Sequence, residues 1–272
     1  MYQPGFAIYI TLGHYIPSSM AEHLYEYVLT RMDGTLVHLS SAVAPPKKVA
    51  FHDSFVYRYA EKNINQAIIQ KLARCISTLR AAQLLMEHGY VHEQAALQRV
   101  LDEIEEDITF LAFGVLQNDI TDLHQKYLDA FYEEEFDPCT GKPAEQDRPT
   151  IPRRKIRAYL ARTHGGDPHG GSQVMRTISK TYSGYVHAAS PQTMDLYIGN
   201  PPRFHTSGVF GTYRHDEHRE DFWNCFYRGI LSFAIVAKAF GDDALSANIR
   251  DFGKKFALAN GHDYRPVSTP GK

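Results

Sequence analysis

Two stretches of this chain gather side chains able to move a proton or hold an anion. The first is the ladder Ala96, Arg99, Glu103, Glu106 and Phe110, set at helical intervals in a segment without proline. Arg99 and Glu103 are four apart, so on a helix their side chains meet. Two readings of that pair stand: a helix-edge salt bridge, which when exposed contributes only about 0.2–1 kcal/mol, or part of a polar cluster lining a cleft. The second stretch is RTISKTYSGYVHAASP, Arg176 to Pro191. On one helix Arg176, Ser179, Ser183 and His187 form a single polar stripe, with Tyr182 and Tyr185 three apart beside it. His187 reads either as an imidazole bonded to a carbonyl within a core or as a proton-transfer group, because histidine titrates near neutrality.

Other chemistries lack their residues. There is no phosphate-binding GxxxxGK[ST] loop, no HExxH, no EF-hand loop and no nucleophile elbow. The glycine run GGDPHGG, residues 165–171, follows a helical pattern rather than a strand. The carboxylate-bridged di-metal bundle requires ExxH units on facing helices, and the chain contains no ExxH. The run His215-Asp216-Glu217-His218 reads as a solvated helix start, its acids near the positive end of the helix dipole. No metal and no cofactor are therefore expected. Cys75, Cys139 and Cys225 are widely spaced, and Cys75 and Cys225 fall in apolar helical stretches as small core residues. That usage predicts a reducing, cytoplasmic location. The N-terminus lacks the basic start and clean apolar run of a signal peptide. The longest apolar stretches, 108–116 and 229–237, are too short to cross a bilayer.

The elements that must position these residues are helices. Of 272 residues 43% are hydrophobic and 22% charged, enough for a sizeable single core. Ser18 or Ser19 caps a first helix ending near Gly34. Asp53 or Ser54 is expected to cap a long helix to about Glu87, with Ile64, Ile68, Leu72, Ile76 and Leu79 on its apolar face. Gly89 stops it. A second long helix, about 93–116, buries Leu97, Val100, Leu101, Ile104, Ile108 and Leu111. The two form an antiparallel hairpin. A third helix spans about 121–135. Residues 136–152 carry four prolines and read as a connection, with Pro152 starting a short basic helix. A helix over about 172–189, an irregular loop or small hairpin near 190–212, and two last helices at about 217–240 and 242–259 complete the chain. The fold class is thus all-α, an up-and-down bundle of about seven helices in one domain over 1–272: the helical hairpin and third helix in 53–135, a loop-rich basic segment in 136–171, and C-terminal helices in 172–260.

Charge is unevenly spread. From Asp102 to Asp137 there are twelve acidic residues and one basic; from Lys142 to Lys180 there are nine basic and three acidic. The two segments can pair within one fold, or the basic 142–180 strip can meet an anionic partner.

The pairing of LQRVLDEIEEDITFL (Leu97–Leu111) with a later YSGYVH leading into ASP resembles the domain-of-unknown-function proteins of the HEPN-like helical class, over roughly Asn63 to Ser190. The resemblance implies an Arg and a Glu one turn apart on an early helix, matched by Arg99 and Glu103, and a Tyr/Ser…His segment on a later one, matched by Tyr182, Ser183 and His187. It further implies RNA binding or metal-independent RNA cleavage in stress response or phage defence, within a homodimer. His187 would then be the acid/base, Arg99 the phosphate-binding cation, Glu103 its orienting partner and Tyr182 a hydrogen-bond donor. The chain departs from the class motif, an Arg followed after four to six residues by a His. Arg176 lies eleven positions before His187, Arg214 and His218 have three residues between them, and only Arg157 and His164 have six. The alternative is a non-enzymatic helical binding or scaffold protein whose polar cluster fixes helix packing.

Overall fold

A computed structural model describes residues 18–51, 53–137, 140–143, 149–163 and 182–262. Among them the elements run α1 (Ser18–Ser40), β1 (Lys47–Phe51), β2 (Ser54–Arg58), α2 (Ile64–Glu87), α3 (Val91–Leu116), α4 (Asp122–Tyr132), α5 (Arg153–Thr163), α6 (Ser190–Met194), β3 (Tyr197–Ile198), β4 (Arg203–Phe204), α7 (Tyr213–Ala239) and α8 (Asp243–Ala259). The fold is an all-α bundle with two small two-stranded hairpins. No described helix is long and apolar enough to cross a membrane.

The antiparallel pair α2–α3 and the pair α7–α8 form the body. α3 lies against α7, and α1 rests on α2 and α7. The stripe Ile68, Leu72, Leu79 of α2 and Leu101, Ile108, Leu111 of α3 are fully buried, as their 3.6-residue spacing requires. α7 adds Phe222, Phe226, Ile230 and Phe233, with Tyr25 of α1 stacked on Phe226 at a centroid distance of 4.5 Å. Cys75 and Cys225 are buried free thiols in this core.

Helix boundaries differ from expectation in several places: α7 begins at Tyr213 rather than about 217, α4 ends at Tyr132 rather than about 135, and two differences are larger. The long helix does not start at Asp53 or Ser54. Lys47–Phe51 and Ser54–Arg58 pair as an antiparallel hairpin, Lys47 opposite Arg58 through Phe51 opposite Ser54. Their alternating Val, Phe and Tyr favour a pleated surface. The helix cap is Asn63, whose side chain accepts from the Gln66 N–H at 3.0 Å while Gln66 Oε1 accepts from the Asn63 N–H at 3.3 Å. The first helix continues through Gly34 to Ser40. An exposed glycine costs about 1 kcal/mol in a helix, and burial of Met32 and Leu39 on either side offsets it.

α4 is fastened by His124, which is fully buried and stacked flat on Phe110 at 4.0 Å. Its Nδ1 accepts from the Thr121 N–H at 3.1 Å, so Nε2 carries the proton and donates to the Phe110 carbonyl at 3.1 Å. Burial holds this imidazole below its ordinary pKa. The absent Cβ of Gly114 makes room for it: a methyl there would lie 2.7 Å from Nε2.

Candidate functional site

α3 carries an unusual load for a central helix. Gln94, Gln98, Asp102, Glu105, Glu106 and Asp107 are all buried. Buried carboxylates persist only when paired or protonated, and here three neighbouring helices supply the cations. From α7, Arg228 donates to Asp102 Oδ1 at 2.6 Å and sets its Nη2 2.5 Å from Glu105 Oε2, off the axis of a hydrogen bond. From α5, Arg157 Nε donates to Glu106 Oε1 at 2.8 Å, and Arg153 grips Asp107 with both Nη atoms, the longer bond being 3.3 Å. From α2, Lys71 Nζ donates to Asp107 Oδ2 at 2.8 Å. Two residues of the basic segment, Arg153 and Arg157, thus pair with acids of α3 inside the fold.

The α7 side of this array holds two acids and one guanidinium. Burial, first of all, pushes the Glu105 carboxyl up to about 8, with Arg228 opposing and Asp102 and Glu106 adding to the rise. Glu105 is thus chiefly protonated at neutral pH, leaving Asp102 to balance Arg228. The folded value lies above the unfolded one, so this contribution to stability is complete below about pH 4.5 and is lost as pH rises through about 8. Glu105→Gln imitates the protonated acid. We expect it to leave the melting temperature at about pH 4 nearly unchanged and to flatten its decline between about pH 4.5 and 8, measured by circular dichroism. A decline as steep as that of the native chain would show that Glu105 does not carry the proton.

The four residues singled out from the sequence occupy different parts of this neighbourhood. Arg99 Nη2 lies 2.5 Å from Glu103 Oε1, and Glu103 Oε2 is 3.5 Å from Arg153 Nη2. Both side chains are partly exposed, although Arg99 Nη1 is buried without a hydrogen-bond partner among the described residues. Tyr182 is partly buried on the α7 side. Burial raises its pKa, Cys225, Asp102 and Asp221 add to the rise, and Arg228 opposes it. His187 is exposed. Its backbone N–H donates to the Ser183 carbonyl, and among the described residues its ring makes no hydrogen bond, ion pair or ring contact with Arg99, Glu103 or Tyr182. The structure thus joins Arg99 to Glu103 and sets Tyr182 near Asp102, while His187 is not engaged with either. Arg176, Ser179, His164 and GGDPHGG lie outside the described residues.

Sequence reasoning missed Asp102, Glu105 and Asp107 as buried acids, and Arg153, Arg157 and Arg228 as their partners. The available signal was the abundance of acids on a helix whose apolar stripe already marks it as central. A second group also went unread: Tyr185, flanked by His92 and His218, with Asp195 and Arg214 close by. No group of three or more His, Cys, Asp or Glu side chains able to hold a metal ion occurs among the described residues. An apolar cleft between α1, α7 and α8, lined by Val28, Met32, Ile230, Phe233, Leu245 and Phe252, contains none of the four residues.

α5 has two chemically distinct faces. Ile156, Arg157, Tyr159 and Leu160 are buried. Arg154, Lys155 and Arg162 are exposed on the other side, and they form no ion pair among the described residues. Comparison with family models, with curated proteins and with solved structures returns no match for this chain.

Proposed function

We propose that the chain is a HEPN-like helical protein that binds an anionic partner, RNA above all, without cleaving it, in a reducing cytoplasm. The observation that carries this reading is the division of α5. Its inner arginines are consumed by the α3 carboxylates, whereas Arg154, Lys155 and Arg162 point three cations outward. Cations spaced along one helix face suit the regular charge of a phosphate backbone. The buried cluster is then structural, since its carboxylates are matched by protein cations and not held ready for a substrate. The test is fluorescence anisotropy with a labelled single-stranded RNA over a salt series. The triple reversal R154E/K155E/R162E should weaken binding at least tenfold. It should also reduce the salt slope by about two log units per log unit of salt, the counterion release of three phosphate contacts. Equal affinity of native and reversed chains would overturn the reading.

A second reading, metal-independent RNA cleavage, is favoured by one observation: the buried Arg99 Nη1 has no hydrogen-bond partner among the described residues and is a donor left over for a phosphate oxygen. In it His187 is the acid/base, Glu103 orients Arg99 and Tyr182 donates a hydrogen bond, in a homodimer. Cleavage of the same RNA that survives chelator and disappears in His187→Ala would establish this reading over the first.

A further inference from the structure

Tyr185 sits in the last turn of a helical stretch, 182–186, that precedes α6. Its ring is met by two imidazoles from two other helices. His92, in the first turn of α3, lies edge-on at a centroid distance of 5.3 Å and an angle of 80°. His218, in the second turn of α7, lies edge-on at 5.7 Å and 82°. The Tyr185 hydroxyl donates to Asp195 Oδ2 at 3.4 Å, and Asp195 Oδ1 is paired with Arg214 at 3.0 Å. Tyr185 therefore ties three things together: the start of α3, the start of α7 and the residue that follows α6.

The segment so tied is folded tightly on itself. Ala188 stands in the left-handed region at φ 48° between the 182–186 turn and α6. A Cβ on Gly184 would come within 2.4 Å of the Gln192 side chain. At its beginning lies Tyr182, its ring tilted against that of Tyr185 at a centroid distance of 6.5 Å. The segment is a strap across α3 and α7, and Tyr185 is its fastening.

We propose that His92, Tyr185 and His218 form an acid-released latch that holds the 182–196 strap against the first turns of α3 and α7. Neutral imidazoles pack against the tyrosine as flat rings. His92 Nε2 is buried with no hydrogen-bond partner among the described residues, so a proton added there finds no acceptor among them. The charged groups facing the latch come from every element around it. Glu93 on α3 and Asp195 after α6 favour a proton on His92. Asp195 and Glu217 favour one on His218, whereas His92 itself and Arg214 oppose it. Burial is the largest influence on both rings, and both pKa values lie below the ordinary 6.5. A cation against an aromatic ring is attractive by about 0.5–1 kcal/mol at exposed sites. Two imidazolium ions sharing one ring with Arg214 nearby face desolvation and mutual repulsion together, and these prevail. The sign follows: the folded values are depressed, so the latch is fully closed above pH 6.5 and is lost as pH falls through the folded values.

The test is hydrogen–deuterium exchange of the full chain at pH 7.5 and 5.5, corrected for the pH dependence of intrinsic exchange. Protection of 182–196 should fall several-fold at pH 5.5, with about tenfold per imidazole as the ceiling set by one proton over one pH unit, while α8 and the middle of α2 retain theirs. The double variant H92Q/H218Q should lose this pH response. Should the double variant not fold, H218Q alone must show a smaller response than the native chain. Unchanged strap protection at pH 5.5, or a full response in the variants, overturns the proposal. A uniform loss of protection in every helix also does so, because it would assign the acid response to the core imidazole His124.

Discussion

Arg228→Met should lower the melting temperature by about 6–20 °C. The substitution keeps an apolar stem of similar length between α7 and α3 and removes only the guanidinium. Asp102 then loses its cation inside the bundle, beside a Glu105 that is already driven toward its protonated form. Removing one partner of a buried pair costs about 3–5 kcal/mol. In a chain of this size each kcal/mol shifts the midpoint by about 2–4 °C. Thermal unfolding followed by circular dichroism at pH 7 reads the effect. The reciprocal triple change, with Asp102 and Glu105 also made apolar, should recover much of the loss, since a dry apolar triad has no stranded charge. A loss below about 1 kcal/mol in the single variant would mean that water reaches Asp102 and that the cluster is not a dry one.

The second large effect is expected at Gly89. Its φ of 73° lies in the left-handed region, where a side chain costs about 1–3 kcal/mol. A Cβ there would also lie 2.3 Å from the Phe210 backbone nitrogen, an atom that cannot rotate away. The Gly89 carbonyl accepts from the Val209 N–H at 2.8 Å, and Val209 is buried. Gly89→Ala must therefore either bend the α2–α3 turn or push the 205–212 loop off it. We expect loss of more than about 2 kcal/mol in urea unfolding, together with proteolytic cleavage within 205–212 at protease levels the native chain resists. Gly34→Ala serves as the control. Nothing approaches the Gly34 Cβ position and the residue lies inside a helix, so a gain of about 1 kcal/mol is expected there.

The helices were legible because apolar spacing is a local property. Leu101, Ile104, Ile108 and Leu111 announce the α3 core face without knowledge of its neighbours, and Gly89 announces the turn before it. The hairpin of β1 and β2 was not legible. Asp53 and Ser54 look like helix caps, and only the pairing of Val49 with Val56 and Ala50 with Phe55 makes the segment a ladder. The site was legible in part. Arg99 and Glu103 meet because they are one turn apart, a geometry the chain itself dictates. The fates of Glu105, Glu106 and Asp107 depend on cations 46 to 123 positions away, Arg153, Arg157 and Arg228, and sequence spacing is silent about such contacts. The opposing charge of the two segments said that pairing was available, without saying which residues paired. His92, Tyr185 and His218 were individually visible but shared no motif.

The salt bridges along α3 have one more consequence. Apolar stripes adhere wherever they overlap, so Leu and Ile alone would let a neighbouring helix slide by a turn at modest cost. Arg153 on Asp107 and Arg157 on Glu106 are satisfied together at the observed offset, and Arg228 holds α7 in the same way from the other flank. Shifted one turn toward the C-terminus of α3, Arg153 and Arg157 would meet Leu111 and Phe110 in place of Asp107 and Glu106. The ionic contacts thus act as a vernier, selecting one alignment among several that oil-like adhesion would accept.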